Sequence, residues 1–168
     1  MKKVLKIFWI LAFAVLLSVP AYSETGTIRI SINANPFQDE VYVFMNHYGN
    51  FYSERATNVD LEFYSDNIEI YLEMFIPNGN DRLIAGTYNV SRAEDEDHMP
   101  FTFSYGAIGL NQNGYYEVTG GTMTVRSSGT GNNLEYNISF NFNIEDEDGL
   151  SGTMTGDFQG TFEWEDYS

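Results

Sequence analysis

Between Tyr136 and Ile144 the chain alternates without a miss. Tyr136, Ile138, Phe140, Phe142 and Ile144 fall on one side, and Asn137, Ser139, Asn141 and Asn143 on the other. Successive side chains leave opposite faces of a pleated backbone, so a repeat of two residues is the strand repeat. A segment of this kind folds as a strand with one face buried and one face wet. The same signature recurs at Ile28, Ile30 and Ile32, and at Val59, Leu61 and Phe63. It recurs again at Ile68, Ile70, Leu72, Met74 and Ile76, set against Glu69, Tyr71, Glu73 and Phe75. Further strands are predicted at 41–45, 83–90, 101–105, 115–119, 121–127, 151–158 and 161–164, about ten in all. Beyond residue 23 no helical repeat is sustained over ten positions, and a short helix fits only at 51–58.

The breaks between these runs hold residues that tolerate fixed or left-handed backbone angles: Asn35-Pro36, Asn78-Gly79-Asn80, Asn113-Gly114, Gly120-Gly121, Gly129 to Asn133 and Asp148-Gly149. Each is predicted to be a turn. Many short strands joined this way imply an all-β fold. The expectation is a single antiparallel β-barrel-like domain of about 8–10 strands, with a two-sheet β-sandwich as the alternative. Closure favours the barrel-like form, because it removes the exposed sheet edges that invite association.

The start of the chain has a different character. A basic opening, MKKVLK, leads into the apolar run IFWILAFAVLLSV, then Pro20 and the small-residue site Ala21-Tyr22-Ser23. This is the pattern of a signal peptide over residues 1–23, with the β domain spanning 24–168. The apolar core falls short of the roughly 20 residues of a usual bilayer span, so no membrane insertion is expected after cleavage. Export to the periplasm or the extracellular space follows. All three Lys lie in this segment and no Asp or Glu does, so cleavage takes the formal net charge from −16 to −19. Such a surface excludes nucleic acid as a partner, since binding to phosphates relies on basic groups displacing counterions. The chain has no Cys. Disulfides, thiolate metal sites and cysteine nucleophiles are thereby excluded, and stability must come from burial.

The segment from Leu83 to Gly160 resembles a group of exported, all-β proteins of Gram-negative bacteria. Their shared pattern is LxxGTYxV, an aromatic pair leading to GGTxTV, an alternating YxIxFxF strand, and an acidic turn followed by GxxTG. Here the corresponding stretches are Leu83 to Val90, Tyr115 to Val125, Tyr136 to Phe142, Glu145 to Gly149 and Gly152 to Gly156. The resemblance implies a lipocalin-like barrel and carries over no functional residue. The lipidated Cys that tethers several of those proteins is missing.

Candidate chemistry is sparse. The tetrads Glu94-Asp95-Glu96-Asp97 and Glu145-Asp146-Glu147-Asp148 place carboxylates in turns, where Ca²⁺ would recruit Asp95, Asp97, Asp146 and Asp148. The second tetrad holds only a fragment of a calcium-loop pattern and lacks its distal Glu. The two His, His47 and His98, sit in no catalytic or zinc motif. Strand-borne Glu62, Glu69 and Glu73 are the carboxylates a glycan hydrolase would use as acid and base. Aromatic residues are abundant, with 13 Phe and 12 Tyr, and Tyr42, Phe44, Tyr48, Phe51 and Tyr52 gather around one loop as a candidate ligand-binding cluster.

Three functions fit these features. The first is a non-enzymatic binding or interaction module for a small molecule, a glycan or a cell-envelope protein. The second is a secreted glycan hydrolase. The third is a small outer-membrane β-barrel.

Overall fold

The computed structural model describes residues 25–50, 53–91, 98–111, 114–130 and 134–167. The predicted signal peptide, Phe51, Tyr52 and the tetrad containing Asp95 and Asp97 lie outside the described residues.

Ten strands follow one another: β1 (Thr25–Ile32), β2 (Asn35–Gly49), β3 (Ala56–Tyr64), β4 (Ile68–Pro77), β5 (Gly86–Val90), β6 (Thr102–Leu110), β7 (Gly114–Ser128), β8 (Glu135–Asp146), β9 (Ser151–Gly160) and β10 (Glu163–Asp166). The described residues contain no helix. All ten strands belong to one sheet. Because β1 pairs with β9 on one side and β2 on the other, the sheet closes into a ring of nine strands in the order β1-β9-β8-β7-β5-β6-β4-β3-β2. The fold is barrel-like, and the two-sheet alternative does not form. Pairing is antiparallel except at two short places, β5 beside β6 and β10 beside β2. The five-residue β5 wedges between β6 and β7 at one end, while Ala107–Leu110 and Gly114–Glu117 of those strands pair directly at the other.

Alternation decides which side chains enter the ring. Val59, Leu61 and Phe63 of β3, Ile70, Leu72 and Met74 of β4, and Ile138, Phe142 and Ile144 of β8 are fully buried. The Phe63 ring meets Phe140 and Phe158 edge-on, with centroids 5.6 and 5.1 Å apart. Since β3 neighbours neither β8 nor β9, these contacts cross the interior, so side chains fill the centre. This is the expected condition for a ring of about eight strands, whose bore is just wide enough for side chains.

Three sequence expectations are corrected. Gly120-Gly121 is no turn: β7 runs through it as one 15-residue strand, with a register shift between Val118 and Gly120. Gly121 has φ +106° and passes so close to β8 that a Cβ would lie 2.1 Å from the Asn141 carbonyl oxygen. Asn35-Pro36 is likewise strand, and the β1–β2 turn is Asn33-Ala34, both with positive φ (49° and 66°). Two positive φ angles make the two-residue turn whose twist matches that of paired strands. Within 51–58 no helix forms among the described residues, because 56–58 open β3.

Candidate functional site

The wet face of β3 and its neighbours is where polar side chains are brought together. Asp60 stands opposite Asn46 of β2 and Glu73 of β4. Glu62 stands between Phe44 and Tyr71, and Tyr64 between Tyr42 and Glu69. The rows continue onto β6, where Tyr105 opposes Glu73 and Ala107 opposes Tyr71, and onto β7, where Tyr115 opposes Gly109. Val59, Leu61 and Phe63 point the other way into the core, so the whole arrangement lies on the outside of the ring. It is fixed from below by rigid, paired backbone.

Neutral donors hold the carboxylates in place. The hydroxyls of Tyr48 and Tyr71 both hydrogen-bond Asp60. Asn46 Nδ2 donates to Glu62 Oε1 at 3.2 Å, and Ser104 Oγ donates to Glu73 Oε2 at 2.6 Å. Tyr105 and Tyr115 share a hydrogen bond between hydroxyls, and the Tyr71 and Tyr105 rings lie 6.0 Å apart. Beyond β2, Tyr167 stacks on Tyr48 at 5.8 Å and donates to Glu165.

The electrostatics follow from this packing. Asp60 is pushed up to about 7, first because the surrounding rings strip its water, and then because Glu73 and Glu62 repel its charge, against the opposing help of the two tyrosines. Burial also raises Glu62, with Glu69 adding repulsion. The neighbouring phenols respond in kind: Tyr48 rises to about 12 and Tyr71 rises further, both through burial and the nearby carboxylates. Among the described residues, no arginine is one of the groups acting on Asp60 or Glu62. Carboxylates placed directly opposite each other on paired strands repel.

The sequence-predicted residues divide accordingly. Tyr42, Phe44 and Tyr48 share the outer face of β2 and flank the carboxylates, with Tyr42 and Tyr48 exposed and Phe44 half-buried. Phe51 and Tyr52 lie outside the described residues. Glu62, Glu69 and Glu73 do come together on adjacent strands, and Asp60, which the sequence reading passed over, sits at the centre between Glu73 and Asn46. The alternation of Val59, Leu61 and Phe63 already marked Asp60 as outward. What it could not give was the cross-strand register that sets Asp60 against Glu73.

Asp146 Oδ1 accepts the N–H groups of Asp148 at 3.0 Å and Leu150 at 2.9 Å, so this carboxylate closes the β8–β9 turn around Gly149. Among the described residues no group of three or more His, Asp or Glu is arranged to hold a metal ion. His47 faces Asp166 at 3.2 Å and Trp164 edge-on. His98 is buried, stacked flat on Phe75 with centroids 3.9 Å apart, and its carbonyl accepts the Ser53 hydroxyl at 2.8 Å. That stack covers Phe75, which explains how an aromatic on the outward side of β4 is fully buried.

Comparison with known proteins returns no matching family model, no matching curated protein and no matching solved structure.

Proposed function

We propose that the protein is an exported, non-enzymatic binding module whose recognition surface is the outer face of β2, β3, β4 and β6. One observation carries the reading: three carboxylates, Asp60, Glu62 and Glu73, are fixed by neutral hydrogen bonds among a set of tyrosines on a rigid sheet face, outside a core that needs none of them. Preorganised polar groups with exposed rings between them are what a binding surface requires. The interior, by contrast, is filled by Phe63, Phe140, Phe142 and Phe158. The ligand is therefore met on the outside of the ring, where a lipocalin-like protein would use its bore.

The outward positions of β3 and β8, Asp60, Glu62, Asn137, Asn141 and Asn143 among them, favour a water-facing domain over a membrane barrel, whose outer band is apolar. The test is a defined panel of neutral, acidic and basic oligosaccharides and peptides, read with the wild type and with Tyr64→Ser/Tyr105→Ser. Both tyrosines are exposed, so the variant keeps the core. Binding of a panel member that the variant loses supports the reading, and a panel whose binding the variant leaves unchanged overturns it.

A second reading, glycan hydrolysis, has one observation in its favour. Asp60 keeps its proton near neutral pH beside Glu73, a division of labour that suits a general acid next to a carboxylate. Turnover of a panel glycan that Asp60→Asn abolishes would establish it, and absence of turnover by the wild type would remove it.

A further inference from the structure

The charge on this face narrows the class of partner. We propose that the outer face of β2, β3, β4 and β6 docks an extended, arginine-bearing polypeptide segment of a partner protein. The inference rests on the reading of that face as a recognition surface and names what it recognises.

Charge complementarity is the first argument. Asp60, Glu62, Glu69 and Glu73 form a block on two adjacent strands, with Asp60 directly opposite Glu73. The Arg29–Asp157 pair lies on β1 and β9, away from the block. Near neutral pH the negative charge of the block lies mainly on Glu62, Glu69 and Glu73, and ionising Asp60 opposite Glu73 adds a repulsion that costs stability. A cation arriving from outside converts that repulsion into attraction, and a chain of formal net charge −16 steers cations toward itself.

Ring chemistry is the second. Tyr42, Tyr48, Tyr64 and Tyr105 are 43%, 38%, 41% and 37% exposed and border the carboxylates on both sides. A guanidinium group satisfies both partners at once, since it bonds carboxylates through two parallel N–H groups, stacks on aromatic rings and gives up its water easily. An ammonium group, compact and strongly hydrated, uses only the charge.

Extent is the third. Four strands about 4.8 Å apart, and four residues along β3 at about 3.4 Å each, give a face of about 14 Å in each direction. One guanidinium group covers a small part of it. A polypeptide strand laid across it would present several side chains to the carboxylates, which Asn46 and Ser104 hold in place.

The test is fluorescence anisotropy of a labelled hexa-arginine peptide on the full folded protein. Glu62→Gln/Glu73→Gln removes two charges from the face, and Glu135→Gln/Asp157→Asn removes two from β8 and β9. The expected result is that the face pair weakens binding about tenfold and the remote pair less than about twofold. Equal losses from both pairs would mean general attraction to an acidic surface and would overturn the proposal. Displacement of the peptide by spermine at equal charge concentration would reassign the face to small polyamines and overturn it too. Tyr64→Ser/Tyr105→Ser provides a readout independent of charge and is expected to weaken the peptide by a similar factor; unchanged affinity would count against docking here. If the peptide fails while another panel member binds in a way that needs Tyr64 and Tyr105, the arginine assignment falls and the recognition surface stands. If no panel member needs them, both fall.

Discussion

Asp60 concentrates the chemistry of the molecule in one side chain. Its carboxyl is raised from 3.8 to about 7 by burial, with repulsion from Glu73 and Glu62 adding to it. A carboxyl whose folded value lies above its unfolded one binds a proton more readily in the native state. Its contribution to stability is fully present below about pH 4 and is lost as pH rises through about 7. The wild type is therefore expected to lose stability between those limits, and Asp60→Asn, which keeps an acceptor for Tyr48 and Tyr71, to flatten that part of the profile. At pH above 7 the variant should be the more stable, by an amount on the order of 2 kcal/mol. Chemical denaturation at a series of pH values checks it, and parallel profiles for the two proteins would show that Asp60 is not the group responsible. Asp39 has the opposite sign: the Ser65 hydroxyl and Asn67 amide hold its carboxyl below the usual range, so its contribution is lost only in acid.

At the scale of strands, what the sequence makes legible is whatever a single strand encodes. The alternation from Tyr136 to Ile144 appears unchanged in β8, with the even-numbered residues Tyr136 to Ile144 buried and their odd-numbered neighbours exposed. What it hides is whatever depends on the strand next door. Gly120-Gly121 has the composition of a turn, yet β8 continues past it with Asn143 opposite Gly120 and Phe142 opposite Gly121, and the extra residue of a bulge, Thr119, falls just before the pair. Ala34 gave no turn signal, because a residue with a Cβ rarely adopts a positive φ; Asn33 holds the turn instead, accepting the Thr153 N–H at 2.9 Å and donating its own to the Thr153 carbonyl. The grouping of Asp60, Glu62, Glu69 and Glu73 was hidden for the same reason, since register is a property of strand pairs. The close approach of Gly121 to β8 yields a direct prediction. Gly121→Ala combines positive φ with a clash against the β8 backbone and is expected to cost more than about 2 kcal/mol. Gly79 also has positive φ (+76°) but open space around its Cβ position, so Gly79→Ala should cost about 1 kcal/mol. Equal melting temperatures for the two variants would show that close approach to Asn141 does not constrain β7.

Seen whole, the protein balances a ring with a buried apolar core against a strongly acidic exterior. Its 24 carboxylates face eight basic residues, and the Arg29–Asp157 ion pair is exposed, with both side chains about half accessible. Exposed pairs of this kind contribute little, so the fold is held by the interior and strained by the repulsion outside it. Screening that repulsion should stabilise the native state, which concentrates the charge more than the unfolded chain does. Rising NaCl is therefore expected to raise the melting temperature steadily up to moderate salt. CaCl₂ separates general screening from a specific ion. Asp146, the carboxylate best placed to bind in the β8–β9 turn, is already engaged by the N–H groups of Asp148 and Leu150. At matched ionic strength CaCl₂ should raise the melting temperature no further than NaCl does. An excess that Asp146→Asn abolishes would place a calcium site in that turn, and would require the Asp146 carboxylate to bind the ion through the oxygen its backbone partners leave free.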